Sequence, residues 1–130
     1  MRAATLLLLM VAGAGAAETL PVKTYPRITS FAGDRTTVIA VDGPAQFTLI
    51  SAHKEAGRPW ADALFERRDN AGRMLVARAY DCAAATFRWM GEAERFRGLS
   101  LSITSMDQIR DRPLLPGTVE FRLARYVCAL

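Results

Sequence analysis

The sequence predicts an α+β domain: a small antiparallel β-sheet with a C-terminal helix packed on it, held by one disulfide. Three observations lead there. Short runs that are β-branched or alternate apolar with polar recur between turn signals from Thr36 to Ile103. The final stretch, opening Pro116-Gly117-Thr118, carries apolar residues at helical spacing. Cys82 and Cys128 are the only cysteines, an even count in a chain that opens with an export signal.

That signal is residues 1–17. Arg2 supplies a positive start, residues 6–11 an apolar run, and Ala14-Gly15-Ala16 a small-residue cleavage site, the pattern of a secretory signal peptide. The apolar stretch is about 15 residues, short of the ~20 that span a bilayer. The membrane is therefore expected to be met only during export, and the destination is the periplasm, the medium or the cell surface. Residues 18–130 then form one domain, as expected of a 130-residue chain that is 51% hydrophobic and 23% charged. Losing Arg2 leaves 16 basic against 13 acidic residues, a net charge of about +3. A domain of this size buries only about two-thirds of its unfolded surface, so a cross-link matters. Closing the loop between Cys82 and Cys128 is worth about 4 kcal/mol of chain entropy.

Taken in order, residues 18–27 hold Pro21 and Pro26 and read as an extended lead-in. Residues 36–41 (TTVIAV) read as a strand, Asp42-Gly43-Pro44 as a turn, and residues 46–52 (QFTLISA) as the returning strand, with Phe47, Leu49 and Ser51 on one face. Residues 54–70 read in two ways. Pro59 can open a helix that places Trp60, Ala63 and Leu64 on one face and Glu66, Arg67 and Arg68 toward water. The same run also fits an edge strand leading into a turn at Asp69-Asn70-Ala71-Gly72. The helix is the preferred reading. Residues 74–80 (MLVARAY) are a strand with Val76, Arg78 and Tyr80 on one face. Residues 86–90 (TFRWM) follow as another strand, and residues 99–103 (LSLSI) alternate with period two. Residues 107–116 form a loop. Thr118 is then the N-cap of a helix carrying Val119, Leu123, Tyr126, Val127 and Leu130.

Chemistry-bearing patterns are sparse. His53 is the only histidine, and neither Ser51 nor Ser100 has the spacing of a catalytic serine, so His53 reads as a strand-end residue facing water. Glu92 and Glu94 could serve glycoside hydrolysis as paired carboxylates, but fit a solvated turn. Two cysteines and His53 are too few for zinc, and Asp107 and Asp111 too sparse for a calcium loop. No cofactor, no metal and no catalytic residue is expected.

The basic residues are more telling. Of 17, 15 are Arg, the residue suited to bidentate contacts with carboxylate or phosphate. The densest local mixture of Arg with acidic and aromatic residues is residues 88–97. If residues 86–90 and 96–103 pair as a hairpin, Arg88, Arg95 and Arg97 gather near its tip with Trp89 and Phe96. Arg88, Trp89, Arg95 and Arg97 are thus the candidate ligand-binding residues, for an anionic glycan or the acidic face of a protein partner. The competing reading makes Trp89 and Phe96 core and the charges surface pairs of little energy. Nucleic acid is a poor partner for an exported chain of such mild charge.

Two stretches, YDCAAATFRW and RPLLPGTVEFRLARYVC, resemble the surface-adhesin E family of exported bacterial proteins. The matching residues are Tyr80-Asp81-Cys82, Phe87 to Trp89, Pro116-Gly117 and Val127-Cys128, with Asp42 fitting loosely. The resemblance covers about the last 60 residues, and residues 54–70 are an insertion relative to it. It implies a small antiparallel sheet with a helix packed against it, one Cys–Cys bridge, and export. The founding adhesin binds host extracellular-matrix and serum proteins. The first functional expectation is accordingly an exported, non-enzymatic, adhesin-like interaction domain. The alternative is a periplasmic inhibitor or accessory subunit of a cell-envelope enzyme, and a small hydrolase acting on cell-wall material is the third. An unpaired edge strand would permit a homodimer by sheet extension.

Overall fold

The computed structural model describes residues 18–94, 102–103 and 109–130. The leader read in residues 1–17 lies outside them, as do Arg95, Phe96, Arg97 and Ser100.

Among the described residues, eight strands form one antiparallel sheet and one helix lies on it. The strands are β1 (Thr29–Ala32), β2 (Ala40–Asp42), β3 (Ala45–Lys54), β4 (Trp60–Asp69), β5 (Gly72–Asp81), β6 (Thr86–Glu94), β7 (Ser102–Ile103) and β8 (Arg112–Pro113). The helix α1 spans Val119–Cys128. The ladder runs β1-β3-β4-β5-β6-β7, with β2 along the first residues of β3 and β8 along the start of β6. The expected α+β architecture is thus the observed one. No helix among the described residues is long and apolar enough to cross a membrane.

Alternation decides which face is dry. Phe47, Leu49, Ala61, Ala63, Phe65, Val76 and Tyr80 are buried and line the face on which α1 lies. The helix contributes Phe121, Leu123, Ala124 and Val127 to that core. It starts where expected: the Thr118 hydroxyl accepts the Phe121 N–H at 3.2 Å. It also ends in the expected bridge, Cys82 to Cys128, with Cα atoms 5.9 Å apart. The carbonyls past the last turn are taken by side chains from distant parts of the chain. Lys54 Nζ donates to Cys128 O (3.1 Å), Lys23 Nζ to Ala129 O (2.7 Å) and the Tyr25 hydroxyl to Leu130 O (2.8 Å). Cations here suit the negative end of the helix dipole. Lys54 is buried to 1% exposure. That desolvation, helped by the charge of Lys23, lowers its pKa below the ordinary lysine value.

Arg78 is the second cation on the dry face, as its expected side with Val76 and Tyr80 requires. Its Nε meets Glu120 of the first helical turn at 3.0 Å, and its guanidinium lies 4.1 Å from the Trp89 ring centroid. The pair joins the sheet to the N-terminal end of the helix, as the disulfide joins it to the other end.

Four sequence expectations need correction. Residues 54–70 are not helical: Trp60–Asp69 is a ten-residue strand in the middle of the sheet, paired along its length with both β3 and β5. The two-residue turn Asn70-Ala71 makes the β4–β5 hairpin, with Asp69 accepting the Ala71 N–H at 2.8 Å. Nor is the run an edge strand, as the other reading had it. Residues 36–41 are extended strand only from Ala40. The Thr36 and Thr37 hydroxyls donate to the Asp34 carboxylate at 2.6 and 2.8 Å, which holds them in a turn. Ser51 is not on the face of Phe47 and Leu49. The register shifts between Leu49 and Ser51, so Ile50 is a bulge residue and Ala52 and Lys54 take the dry face instead. Finally, residues 86–90 extend into the longer β6, and among the described residues they do not pair with residues 96–103 as expected: Ser102 and Ile103 pair with Glu92 and Gly91, while Thr86 and Phe87 pair with Pro113 and Arg112, inside the stretch read as a loop.

Candidate functional site

The face of the sheet away from α1 carries the polar and chemical groups. Alternation along β4 sends Trp60, Asp62, Leu64, Glu66 and Arg68 to it. One row of cross-strand partners crosses five strands: Ser30 of β1, His53 of β3, Asp62 of β4, Ala79 of β5 and Arg88 of β6. Small residues at Ala77 and Ala79 leave the surface low. Two hollows, of about 280 and 340 Å³, adjoin there and share Asp62 and Met90. The first has Glu55, Arg58, Trp60 and Arg88 on its walls. Ser51, His53 and Leu64 line the second.

Most charges of this groove are spent locally. Arg58 pairs with Glu55 at 3.5 Å. Arg88 Nε meets Asp111 at 2.6 Å, and its guanidinium lies 5.1 Å from the Trp60 ring centroid. His53 Nδ1 shares a hydrogen bond with the Ser30 hydroxyl at 2.8 Å. Asp62 has no ion pair among the described residues. Desolvation in the groove, followed by the charge of Glu55, raises its pKa above the ordinary aspartate value; the Trp60 indole and His53 act the other way. The groove therefore keeps one poorly compensated negative charge beside an aromatic ring.

The residues singled out from sequence are not gathered in this arrangement. Arg88 and Trp89 are consecutive on β6 and so point to opposite faces. Arg88 reaches the groove, while Trp89 packs against the core with Arg78 and with Arg112, whose guanidinium is 5.6 Å from its ring centroid. Arg95 and Arg97 lie outside the described residues. His53 is exposed near the end of β3, as read from sequence. Glu92 lies on β6 opposite Val76, within a strand rather than a turn. Cys82 and Cys128 are bonded to each other, and the described residues hold no group of three or more His, Cys, Asp or Glu able to bind a metal ion. Sequence reasoning missed Trp60 and Asp62 as neighbours on one face. Their signal was the period of two from Ala61 to Arg68, which the helical reading of the same run set aside.

Neither models of known families, nor curated proteins, nor solved structures give a match to the chain.

Proposed function

We propose that the chain is an exported, non-enzymatic interaction domain that holds a basic side chain of a partner protein in the groove at Asp62. The observation that carries this reading is the charge pattern of the open face. Arg58 and Glu55, and Arg88 and Asp111, neutralise each other, and Asp62, with the Trp60 indole as its neighbour, is left over without an ion pair among the described residues. A lysine or arginine entering there gains a counter-ion in a partly desolvated groove. Leu64, Ala77 and Met90 offer apolar surface beside it. Export is supported by the disulfide, a bond that persists in oxidising compartments.

The Ser30–His53–Asp62 row contains the residue types of an acyl-transfer triad, but its setting favours binding. Both β3 and β4 are paired on each side, so their backbone N–H groups are engaged in the ladders and do not converge as oxyanion donors. The acidic groove also differs from the anion-binding tip drawn from sequence, because Arg88 is committed to Asp111.

A photo-crosslinking residue at Met90, in the full chain expressed in its own host, tests this. The expected result is a discrete protein adduct that Asp62→Lys abolishes and Arg122→Glu, on the exposed side of α1, leaves intact. An adduct indifferent to the charge at position 62 would refute the assignment. Protease accessibility on intact cells then distinguishes a surface or released protein, open to host partners, from a periplasmic one.

A further inference from the structure

A third hollow, of about 350 Å³, lies on the same open face, away from the Asp62 groove and with none of its lining residues in common. Its floor is a block of four side chains from two paired strands. Gln46 stands opposite Arg68, and Thr48 opposite Glu66. Its wall is the segment of residues 35–38, which supplies Arg35 and Thr36. That wall is held firmly. Gly33 donates its N–H to Ile50 O at 2.9 Å and lies so close to β3 that an added Cβ would overlap the Leu49 carbonyl. Asp34 then accepts from the Thr36 N–H (2.9 Å) and from the hydroxyls of Thr36 and Thr37. These bonds, led by the one from the Thr36 hydroxyl, hold the Asp34 carboxyl below the ordinary aspartate range.

The wall makes Glu66 unusual. It points to the face that elsewhere is wet, yet it is 5% exposed. Its Oε1 meets Arg68 Nη2 at 3.3 Å, and both side chains line the hollow. Burying a carboxylate is costly unless it is paired and hydrogen-bonded. The hollow around it is rich in complementary groups: two guanidinium forks, an amide and two threonine hydroxyls. Arg35 is exposed and makes no ion pair among the described residues, so its positive charge is left over once Arg68 is set against Glu66. Closely spaced donors and acceptors suit vicinal hydroxyls, and an arginine fork suits a carboxylate. The volume is near the lower end of the about 300–1,000 Å³ of small-ligand sites, which favours a single ring.

We propose that this hollow binds a sugar unit bearing a carboxylate, of the uronic-acid class. Arg35 takes the carboxylate, and Glu66, Arg68, Gln46 and Thr48 take the ring hydroxyls. The site shares no residue with the partner groove at Asp62 and stands or falls separately from it.

The test is a titration of the full folded chain with methyl glucuronoside, methyl glucoside and acetate, followed by amide NMR and calorimetry. Saturable shifts confined to residues 35–38, 46–48 and 66–68 are expected with the glucuronoside, and binding about tenfold weaker with the glucoside. Arg35→Ala should erase that preference without changing Tm, because the side chain is exposed. Glu66→Gln should weaken both sugars by about tenfold. Should Glu66→Gln unfold the domain, Thr48→Ala serves as the second variant, with the same loss expected. Asp62→Lys should leave all three titrations unchanged. Three results overturn the proposal: no saturable shift at these residues, equal affinity for the glucoside, or acetate binding as well as the glucuronoside, which would mark a plain anion spot.

Discussion

The two faces of this sheet are made by the same strands, one residue out of phase, and they differ in nearly every physical respect. On the helix side, Phe47, Leu49, Phe65, Val76 and Tyr80 meet Phe121, Leu123 and Val127. Even the two cations there have built partners: Lys54 on Cys128 O and Arg78 on Glu120. On the other side, side chains are short, as at Ala77 and Ala79, or are ion-paired where water reaches them, as at Arg58 and Arg88. Exposed pairs of that kind are worth about 0–1 kcal/mol each. The domain thus places its stability on one face, and the binding role proposed above falls to the other. Stability and binding should then respond to different substitutions.

The most direct way to break this comparison uses two consecutive residues of β4. Phe65 is fully buried and Leu64 lines the open groove. Phe65→Ala should cost about 3–5 kcal/mol in denaturant unfolding, and Leu64→Ala less than about 1 kcal/mol. Similar losses at both positions would mean that the open face is also a core. Smaller, but still on the dry side, is the ion pair. Arg78→Met should cost about 3 kcal/mol, because it leaves the partly buried Glu120 carboxylate without its cation. Adding Glu120→Gln should recover part of that loss, which a purely steric role for Arg78 would not allow.

Titration sharpens the same contrast. Lys54 has a folded-state pKa below its ordinary 10.5. Between the two values the unfolded chain binds more protons, so this lysine makes stability rise as pH climbs toward 10.5. Tyr80 does the opposite. Burial, with Glu120 adding to it, raises its pKa well above 10.0. The unfolded tyrosine therefore ionises first, and stability falls as pH passes 10.0. Comparing wild type with Lys54→Met in thermal melts from pH 7 upward should show the wild type gaining on the variant as pH approaches 10.5. A constant difference across that range would mean that Lys54 is as well solvated folded as unfolded.

Much of the dry face was legible in the sequence. The alternation of residues 74–80 placed Val76, Arg78 and Tyr80 together, Thr118 marked the helix start, and the cysteine count gave the bridge. What escaped were features set by competition or by register. Thr36 and Thr37 look like strand residues, but their hydroxyls find Asp34 at close range, and no propensity scale weighs that against a ladder. The bulge at Ile50 moves every later side chain of β3 to the other face, and it depends on pairing with β4 rather than on β3 alone. β4 carries alanines where a helix is also comfortable, and only its two neighbours make it a strand. The open-face sites follow from these three features. Trp60 comes beside Asp62, and Glu66 comes to line one hollow with Arg35 and Thr36, only once β4 is extended and the Asp34 turn is formed, so both proposed sites were hidden from a reading of one segment at a time.

The subtlest test lies at Asp62, where the two faces exchange roles. Its pKa is raised, so the folded chain holds its proton above 3.8 while the unfolded chain has lost it. That shift opposes folding progressively as pH rises through the window above 3.8 and remains in full beyond it. Asp62→Asn should therefore raise Tm slightly at pH 7 and leave it unchanged at pH 3, where both states are protonated. The gain should stay below about 1 kcal/mol, because water reaches the carboxyl and screens it. A core residue would show the reverse, losing stability on substitution. A surface acid without a task would show neither effect. An acid whose removal stabilises the fold but abolishes the Met90 adduct is held at the expense of stability, the signature of a residue kept for binding. If Asp62→Asn lowers Tm at pH 7, the carboxylate belongs to the scaffold, and the division of labour between the two faces fails at its centre.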